Sequence, residues 1–260
     1  MDGREPRIGS LYCWRYPDDM ESLEIDTSMN SCQACAVRNR AICADLDDEE
    51  IGLLNAIGRR KHLRAGEQLL WEGDEAIIVA NVVEGVLKLS TQTADGKEQI
   101  LGMVYPSDFL GRPFGETTPY GVEALSDAQV CVFRRTDFDR FAREHPRLEH
   151  KLLERTLAEL DRTRRWMVLL GRMNAEQKLA TYLVETAERL LPATCEEAEP
   201  GDKRTITLPL SRQQMADVLG LTIETVSRHI SKLKNEGLID LPGRRELTIN
   251  SLKALAERGG

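Results

Sequence analysis

Residues 210–241 read LSRQQMADVLGLTIETVSRHISKLKNEGLIDL, and no other window constrains the fold as tightly. Ser211 can cap a helix that carries Met215, Ala216 and Leu219 at helical intervals. Gly220 follows where a left-handed residue ends a helix in a tight turn. Thr222 then caps a second helix, with Val226, Ile230 and Leu233 spaced by four and three. Two capped helices around a short glycine turn form a helix-turn-helix, whose second member lies in the DNA major groove. A two-helix packing element without DNA is the plainer alternative. Against it stands a polar outward face of Thr222, Glu224, Thr225, Ser227, Arg228 and His229, continued by Ser231 and Lys232. Arginine donates two hydrogen bonds to guanine and glutamate accepts from cytosine, so Glu224, Ser227 and Arg228 form a base-reading set. Arg212, Lys232 and Lys234 suit phosphates, which position a protein without specifying sequence. Beyond them, LIDLPGRRELTI predicts two short strands around Pro242, Gly243, Arg244 and Arg245, a basic wing.

Upstream, the texture changes three times. Residues 46–60, LDDEEIGLLNAIGRR, predict a short amphipathic helix capped by Asp47 or Asp48. From 61 to 135, short β-rich runs (QLLWEG, IIVANVVEG, VLKLSTQT, EQILGMVY, VEALS, QVCVFRR) alternate with turn signals such as Gly73-Asp74 and Asp95-Gly96. Turns about ten residues apart predict an antiparallel roll or barrel. From Thr136 to about Leu191 the period becomes helical, and Leu153, Leu157, Leu160 and Met167 fall 4, 3 and 7 apart. That seam suits a helix packed on its own barrel or a helix that pairs with a second copy, and its charged flanks favour pairing. PATCEEAEPGDKR, residues 192–204, reads as an exposed linker.

A formal charge of −8 looks wrong for a DNA binder until it is divided. From Gly171 onward there are 13 Lys+Arg and 13 Asp+Glu, which leaves 22 and 30 of the totals of 35 and 43 before it. All of the excess acid therefore lies in the N-terminal two-thirds, and global acidity says little about the DNA-reading end. The longest apolar run, WMVLLG, is too short to span a bilayer, and no apolar segment follows the first charges as in a signal peptide. A cytoplasmic, non-membrane protein is expected. Six cysteines without export then point to metal or redox chemistry rather than a disulfide framework. Three of them stand in SCQACAVRNRAIC, as C-x2-C-x7-C at Cys32, Cys35 and Cys43. No dinucleotide fingerprint, Walker loop, H-E-x-x-H or nucleophile elbow occurs, and the four histidines form no ligand or triad pattern, so no enzyme is expected.

A β-roll, a long helix and a winged helix-turn-helix, in that order, resemble the CRP/FNR superfamily of bacterial transcription regulators over nearly all of the chain after residue 30. SDFLG at 107–111, NAEQKLATYLV at 174–184 and GLTIETVSRHISKLKNEGLI at 220–239 carry the resemblance. The E-x-x-S-R core at Glu224, Ser227 and Arg228 is similar to that of the FNR branch, which reads TTGAT-type half-sites. The resemblance implies an α+β fold. Residues 1–45 are a cysteine-bearing segment, 46–136 an antiparallel β-roll of cupin-like double-sheet form, 137–171 a dimerisation helix, and 172–260 the winged helix-turn-helix domain.

It also implies a ligand set. FNR-type oxygen sensors hold a 4Fe–4S cluster on three N-terminal cysteines and one from the roll, here Cys32, Cys35, Cys43 and Cys131. The x7 interval is wider than the x5 of the best-known enterobacterial member and resembles FnrN/FixK-like members. Cys13 is the alternative fourth ligand, and Cys195 is a free thiol on this reading. Zinc is the alternative occupant, although four-cysteine zinc sites usually use two close C-x2–4-C pairs and this chain has one. A disulfide within C-x2-C is the third possibility, disfavoured by a reducing cytosol. Cyclic AMP is not expected, because Arg112 stands where family members that bind it place a ribose-binding acid, and no Arg-Ser pair follows. The expected regulator is a homodimer along Leu153, Leu157, Leu160 and Met167. It sets two reading helices about 34 Å apart on an inverted-repeat promoter, and contacts RNA polymerase. Arg162, Arg164 and Arg165 flank that seam. They are read first as a solvated face, and second as like charges that oppose pairing.

Overall fold

The computed structural model describes residues 32–190 and 203–260. Cys13, Cys195 and nearly all of the expected 192–204 linker lie outside the described residues.

The β-rich stretch forms β1 (Gly58–Leu63), β2 (Gln68–Leu70), β3 (Ile78–Glu84), β4 (Leu87–Gln92), β5 (Glu98–Val104), β6 (Phe109–Gly111), β7 (Gly121–Ala124) and β8 (Ala128–Arg134). These assemble as two antiparallel four-stranded sheets, ordered β1-β8-β3-β6 and β2-β7-β4-β5. Leu69, Leu87 and Val122 from one sheet meet Ala80, Val82, Val130 and Val132 from the other inside the roll. Successive strand residues point to opposite faces. On β8, Val130 and Val132 therefore face the roll interior, while Cys131 and Phe133 face outward. Outward here does not mean solvent. Val79, Val83 and Phe133 join a second core with Val37, Ile42, Leu46, Leu54, Phe138 and Leu148. This explains why β3 is buried from Ile78 through Val83 without alternation.

Six of the eight strands coincide with the apolar runs of the sequence. The two additions are β6, FLG, and β1, GRRKHL. β1 has no apolar alternation, and its strand state comes from pairing with β8 along its whole length.

Before it, α1 (Asp48–Ile57) starts at Asp47, whose carboxylate accepts from the backbone of Glu49 and Glu50 while Glu50 reaches back to close a capping box. The stretch expected as a dimerisation helix, 137–171, is divided between α2 (Arg135–Glu144) and α3 (Pro146–Arg172). Pro146 bars its predecessor from the α region, and His145 adopts φ −125° and ψ 83°.

The C-terminal region comprises α4 (Ala175–Leu190), β9 (Arg204–Thr207), α5 (Arg212–Leu219), α6 (Ile223–Asn235), β10 (Ile239–Asp240), β11 (Glu246–Ile249) and α7 (Leu252–Gly259). The wing is a three-stranded sheet, β10-β11-β9, whose third strand lies before the helix-turn-helix in sequence. Val226, Ile230 and Leu233 of α6 are fully buried with Leu179, Leu183, Met215 and Leu247. Each stabilises the fold by roughly 1.5–3 kcal/mol, which fixes α6 by its inner stripe and frees the outer one. Ile100 of β5 belongs to this same core, so the C-terminal region docks on the roll. Asp108, from the SDFLG stretch, receives Arg189 of α4, and Tyr105 Oη lies 3.4 Å from Thr186 Oγ1.

Candidate cysteine site and nucleic-acid interface

Cys32 lies in a short 3-10 turn (Cys32–Ala34), Cys35 just beyond it, Cys43 in the turns that follow, and Cys131 in mid-β8. These four line one pocket, together with Arg60, Asn81 and the apolar Val37, Leu54, Val83 and Phe133. All four are free thiols, so Cys32 and Cys35 form no disulfide.

Strand register explains the floor of the pocket. Cys131 pairs with Arg60 of β1 on one side and Asn81 of β3 on the other. Residues directly opposite on neighbouring strands share a face, so the three side chains form a row across the sheet. Gly58 lets the corner between α1 and β1 close over this row: a Cβ there would lie 2.8 Å from the Phe133 ring and 3.4 Å from Cys131 Sγ. The roof is the 32–46 loop, which Arg38 staples by donating to the carbonyls of Cys43, Ala44 and Leu46, the last at 2.7 Å. Cys32 Sγ donates to Asn55 Oδ1 of α1 at 3.1 Å.

Burial pushes the Cys131 thiol up to about 12 and the Cys43 thiol up to about 11. Cys32 is also raised by burial, with Arg60 acting the other way. Burial disfavours the Arg60 charge, yet a hydrogen bond to Cys35 and the nearby sulfurs hold it above the ordinary arginine value. Left alone, the Cys32, Cys43 and Cys131 thiols stay protonated at neutral pH, and a metal centre is what would hold them as thiolates.

Among the described residues, no three His, Cys, Asp or Glu are grouped as a single ion requires. Tetrahedral zinc, with bonds of about 2.3 Å, would draw its sulfurs to about 3.8 Å of one another. A polynuclear cluster takes each thiolate on its own iron and needs them spread around a larger body. Four cysteines around a largely apolar pocket, with the unpartnered Arg60 Nη1 beside them, fit iron–sulfur ligation in number and kind.

The reading helix is built as its caps dictate. Ser211 and Gln214 close a capping box on α5, Gly220 takes φ 62° and ψ 44°, and Thr222 Oγ1 accepts from Thr225 N to start α6. Thr222, Glu224 and Arg228 are exposed, and Thr225 and Ser227 half-exposed, on one side of α6. The helix's own N-terminal backbone and the Thr222 hydroxyl hold the Glu224 carboxyl below its usual range, so it is an acceptor at neutral pH. Arg212 Nη1 lies 3.5 Å from Ser227 Oγ, so α5 joins this face. Lys232, expected on a phosphate, is shared with Glu176 of α4, which also holds Arg258 at 3.1 Å.

Along α3 the seam is bare. Leu153 is 55% exposed, Leu157 53%, Leu160 43% and Met167 68%, so these four do not pack on their own roll. The arginines beside them are already paired within the chain: Arg162 with Glu159 at 3.0 Å, and Arg164 with Asp161 at 3.2 Å. These pairs agree with the reading of Arg162 and Arg164 as a solvated charged face.

Sequence reasoning did not find Arg38, Arg60 or Asn81. Arg60 sits in a polar run, and only its register opposite Cys131 marks it.

A roll joined through a long helix to a winged helix-turn-helix with a polar reading face defines a DNA-binding transcription regulator rather than an enzyme. Comparison with known proteins narrows the class. Residues 177–258 match the Crp-like helix-turn-helix domain, and residues 60–145 match the cyclic nucleotide-binding domain. The chain is 41% identical over 237 residues to the transcriptional activator protein FnrL of Cereibacter sphaeroides, covering 91% of this chain and 95% of that protein. It is 40% identical to the nitrogen fixation regulation protein FixK of Bradyrhizobium diazoefficiens, over 83% of this chain and 88% of the relative. The structure of FixK2 from Bradyrhizobium japonicum superposes with a TM-score of 0.69 at 29% identity, covering 78% of this chain and 98% of that one. The chain belongs to the CRP/FNR family of transcription regulators, in its FNR/FixK branch.

Proposed function

We propose that this protein is an oxygen-responsive transcriptional activator that carries a 4Fe–4S cluster on Cys32, Cys35, Cys43 and Cys131. As a homodimer it reads inverted-repeat TTGAT-type promoter sites of anaerobic or microaerobic genes. The observation that carries this is the shared pocket: thiols nearly a hundred residues apart in the chain line one chamber. When bound, the cluster supplies a group that dioxygen oxidises and dismantles, and hence the oxygen response.

The remaining work falls to the chain. Four thiolates tie the 32–46 loop to β8. That loop abuts the first turns of α3, where Lys151 meets Asp45 at 3.1 Å and Leu148 packs with Cys43 and Leu46. The exposed seam begins one turn later, at Leu153. Fixing the loop therefore fixes the start of the helix along which two copies pair. Pairing presents two α6 helices, in which Arg228 donates to guanine, Glu224 accepts from cytosine, and Arg212 meets phosphate. Moving such an equilibrium from 1:99 to 99:1 takes about 5.5 kcal/mol, within reach of several metal–thiolate bonds. No helix among the described residues is long and apolar enough to cross a membrane, which agrees with a cytoplasmic regulator. Arg112, an exposed base, stands where a ribose-binding acid would be needed, so this reading assigns the response to the cysteine site and not to a cyclic nucleotide. RNA polymerase is the expected partner at promoters.

The test is purification without oxygen, with an iron and sulfide count, a visible spectrum, and retardation of inverted-repeat DNA before and after exposure to air. Four irons per chain and retardation lost in air are expected. Iron-free protein that grips the repeat equally tightly, or protein loaded with zinc, would overturn the proposal.

A further inference from the structure

The geometry points to Arg60 as the outer hydrogen-bond donor and charge partner of the group held by the four cysteines, a positioning residue rather than a ligand. This rests on the iron–sulfur reading above.

Among the described residues, four buried side-chain atoms lack a hydrogen-bond partner: Arg60 Nη1, Asn81 Oδ1, His229 Nδ1 and Asn250 Oδ1. Two of these four line the cysteine pocket, and they are the two residues in register with Cys131. A buried donor left unpaired is costly, and a charged one more so, which makes an orphaned guanidinium nitrogen a sign of an acceptor that belongs there. Among the described residues no carboxylate pairs with Arg60; the groups that act on its charge are Cys35, Cys131 and Cys32. Its neighbour Arg59 shows the contrast, donating to the carbonyls of Ala56 and Gly58 at 3.0 and 2.8 Å.

The chemistry is complementary. Four thiolates outweigh the positive charge of an iron–sulfide core, so the loaded pocket is anionic and rich in sulfur acceptors. Hydrogen bonds to those sulfurs are a recognised control on such centres. Arg60 brings a planar fork of donors and a fixed positive charge. Asn81, on the other flank, presents an oxygen. A half-turn of its amide exchanges that oxygen for a nitrogen of the same shape and makes it a second donor.

A purely structural arginine and a cluster-facing one behave differently when the pocket holds no iron. Arg60 Nη1 has no acceptor in the iron-free pocket, so removing the guanidinium costs the iron-free chain only its contacts with the thiols. Removing a donor from the loaded pocket weakens it. The experiment compares the parent chain, Arg60→Leu and Arg60→Lys, each iron-free and after reconstitution with iron and sulfide without oxygen. Melting temperature, loss of visible absorbance to an iron chelator, and reduction potential are read for each.

In Arg60→Leu the iron-free melting temperature changes much less than that of the loaded protein. The loaded protein loses absorbance about tenfold faster, and its potential moves negative. Arg60→Lys restores most of the potential and less of the lifetime, because charge returns without the fork. Equal destabilisation of the iron-free and loaded Leu variants would assign Arg60 a structural role and overturn the proposal. Unchanged chelator loss and potential on a normally loading parent would also overturn it. A parent that takes up no iron removes the iron–sulfur reading itself, a distinguishable failure.

Discussion

At the DNA-reading end, the base-reading set and Arg212 come from one short stretch, Arg212 through Arg228, on two helices joined by Gly220. At the cysteine end, the pocket is assembled from a turn-rich loop, the first strand, a central strand and the last strand of the roll. The first site is complete as it stands: its caps are closed and its inner stripe is buried. The second keeps four free thiols and two unpartnered polar atoms in an apolar setting. A surface that meets a ligand from outside can satisfy itself locally. A chamber that encloses one leaves its polar groups to be satisfied by the guest, and this is how a bound group comes to control the fold around it.

Three substitutions or conditions set the two ends apart, the largest effect first. Cys131→Ala removes one proposed ligand from the row between Arg60 and Asn81. The oxygen-free protein should then hold less than half the parent's iron and bind the inverted repeat on the order of a hundredfold more weakly, because the loop is no longer tied to β8. Metal analysis beside a gel retardation series checks this, and full iron content in that variant would move the fourth ligand elsewhere. Arg228→Ala does the reverse. Iron content and the visible spectrum stay at the parent level, while specific binding weakens by about 1–3 kcal/mol and discrimination at one base pair relaxes. Competition between the repeat and single-base variants reads it, and a uniform loss across sequences would make Arg228 a phosphate contact.

The smallest effect concerns the iron-free chain. Cys43 and Cys131 have folded-state values near 11 and 12 against an ordinary 9.0. Below pH 9 both states hold these protons and stability is intact. As pH rises from 9 through 11, the unfolded chain releases its thiol protons while the folded one keeps them, so stability falls by about 1 kcal/mol per thiol per unit. Urea midpoints at pH 8 and 10 should show this fall, and a smaller one in Cys43→Ala. Iron loading runs with the opposite sign, since binding needs thiolates and is favoured as pH rises.

How much of this was legible beforehand differs between the ends for the same reason. Ser211, Gly220 and Thr222 mark the boundaries of α5 and α6 by local chemistry, and the burial of Val226, Ile230 and Leu233 follows from spacing alone. The bare seam of Leu153, Leu157, Leu160 and Met167 was visible as a period, though not that its own roll leaves it uncovered. Pro146 was in plain view as well, and its effect on His145 splits a helix that periodicity alone ran together.

The sequence by itself determined the reading helix, most strands of the roll and the presence of a cysteine triplet, because caps, turns and periodicity act over a few residues. Tertiary structure alone decided that GRRKHL is a strand, that Cys131 faces the loop rather than the roll interior, and that Arg60 and Asn81 flank it. Those outcomes depend on which strand pairs with which and in what register. Register is set by the packing of both sheet faces at once, a balance no single segment carries.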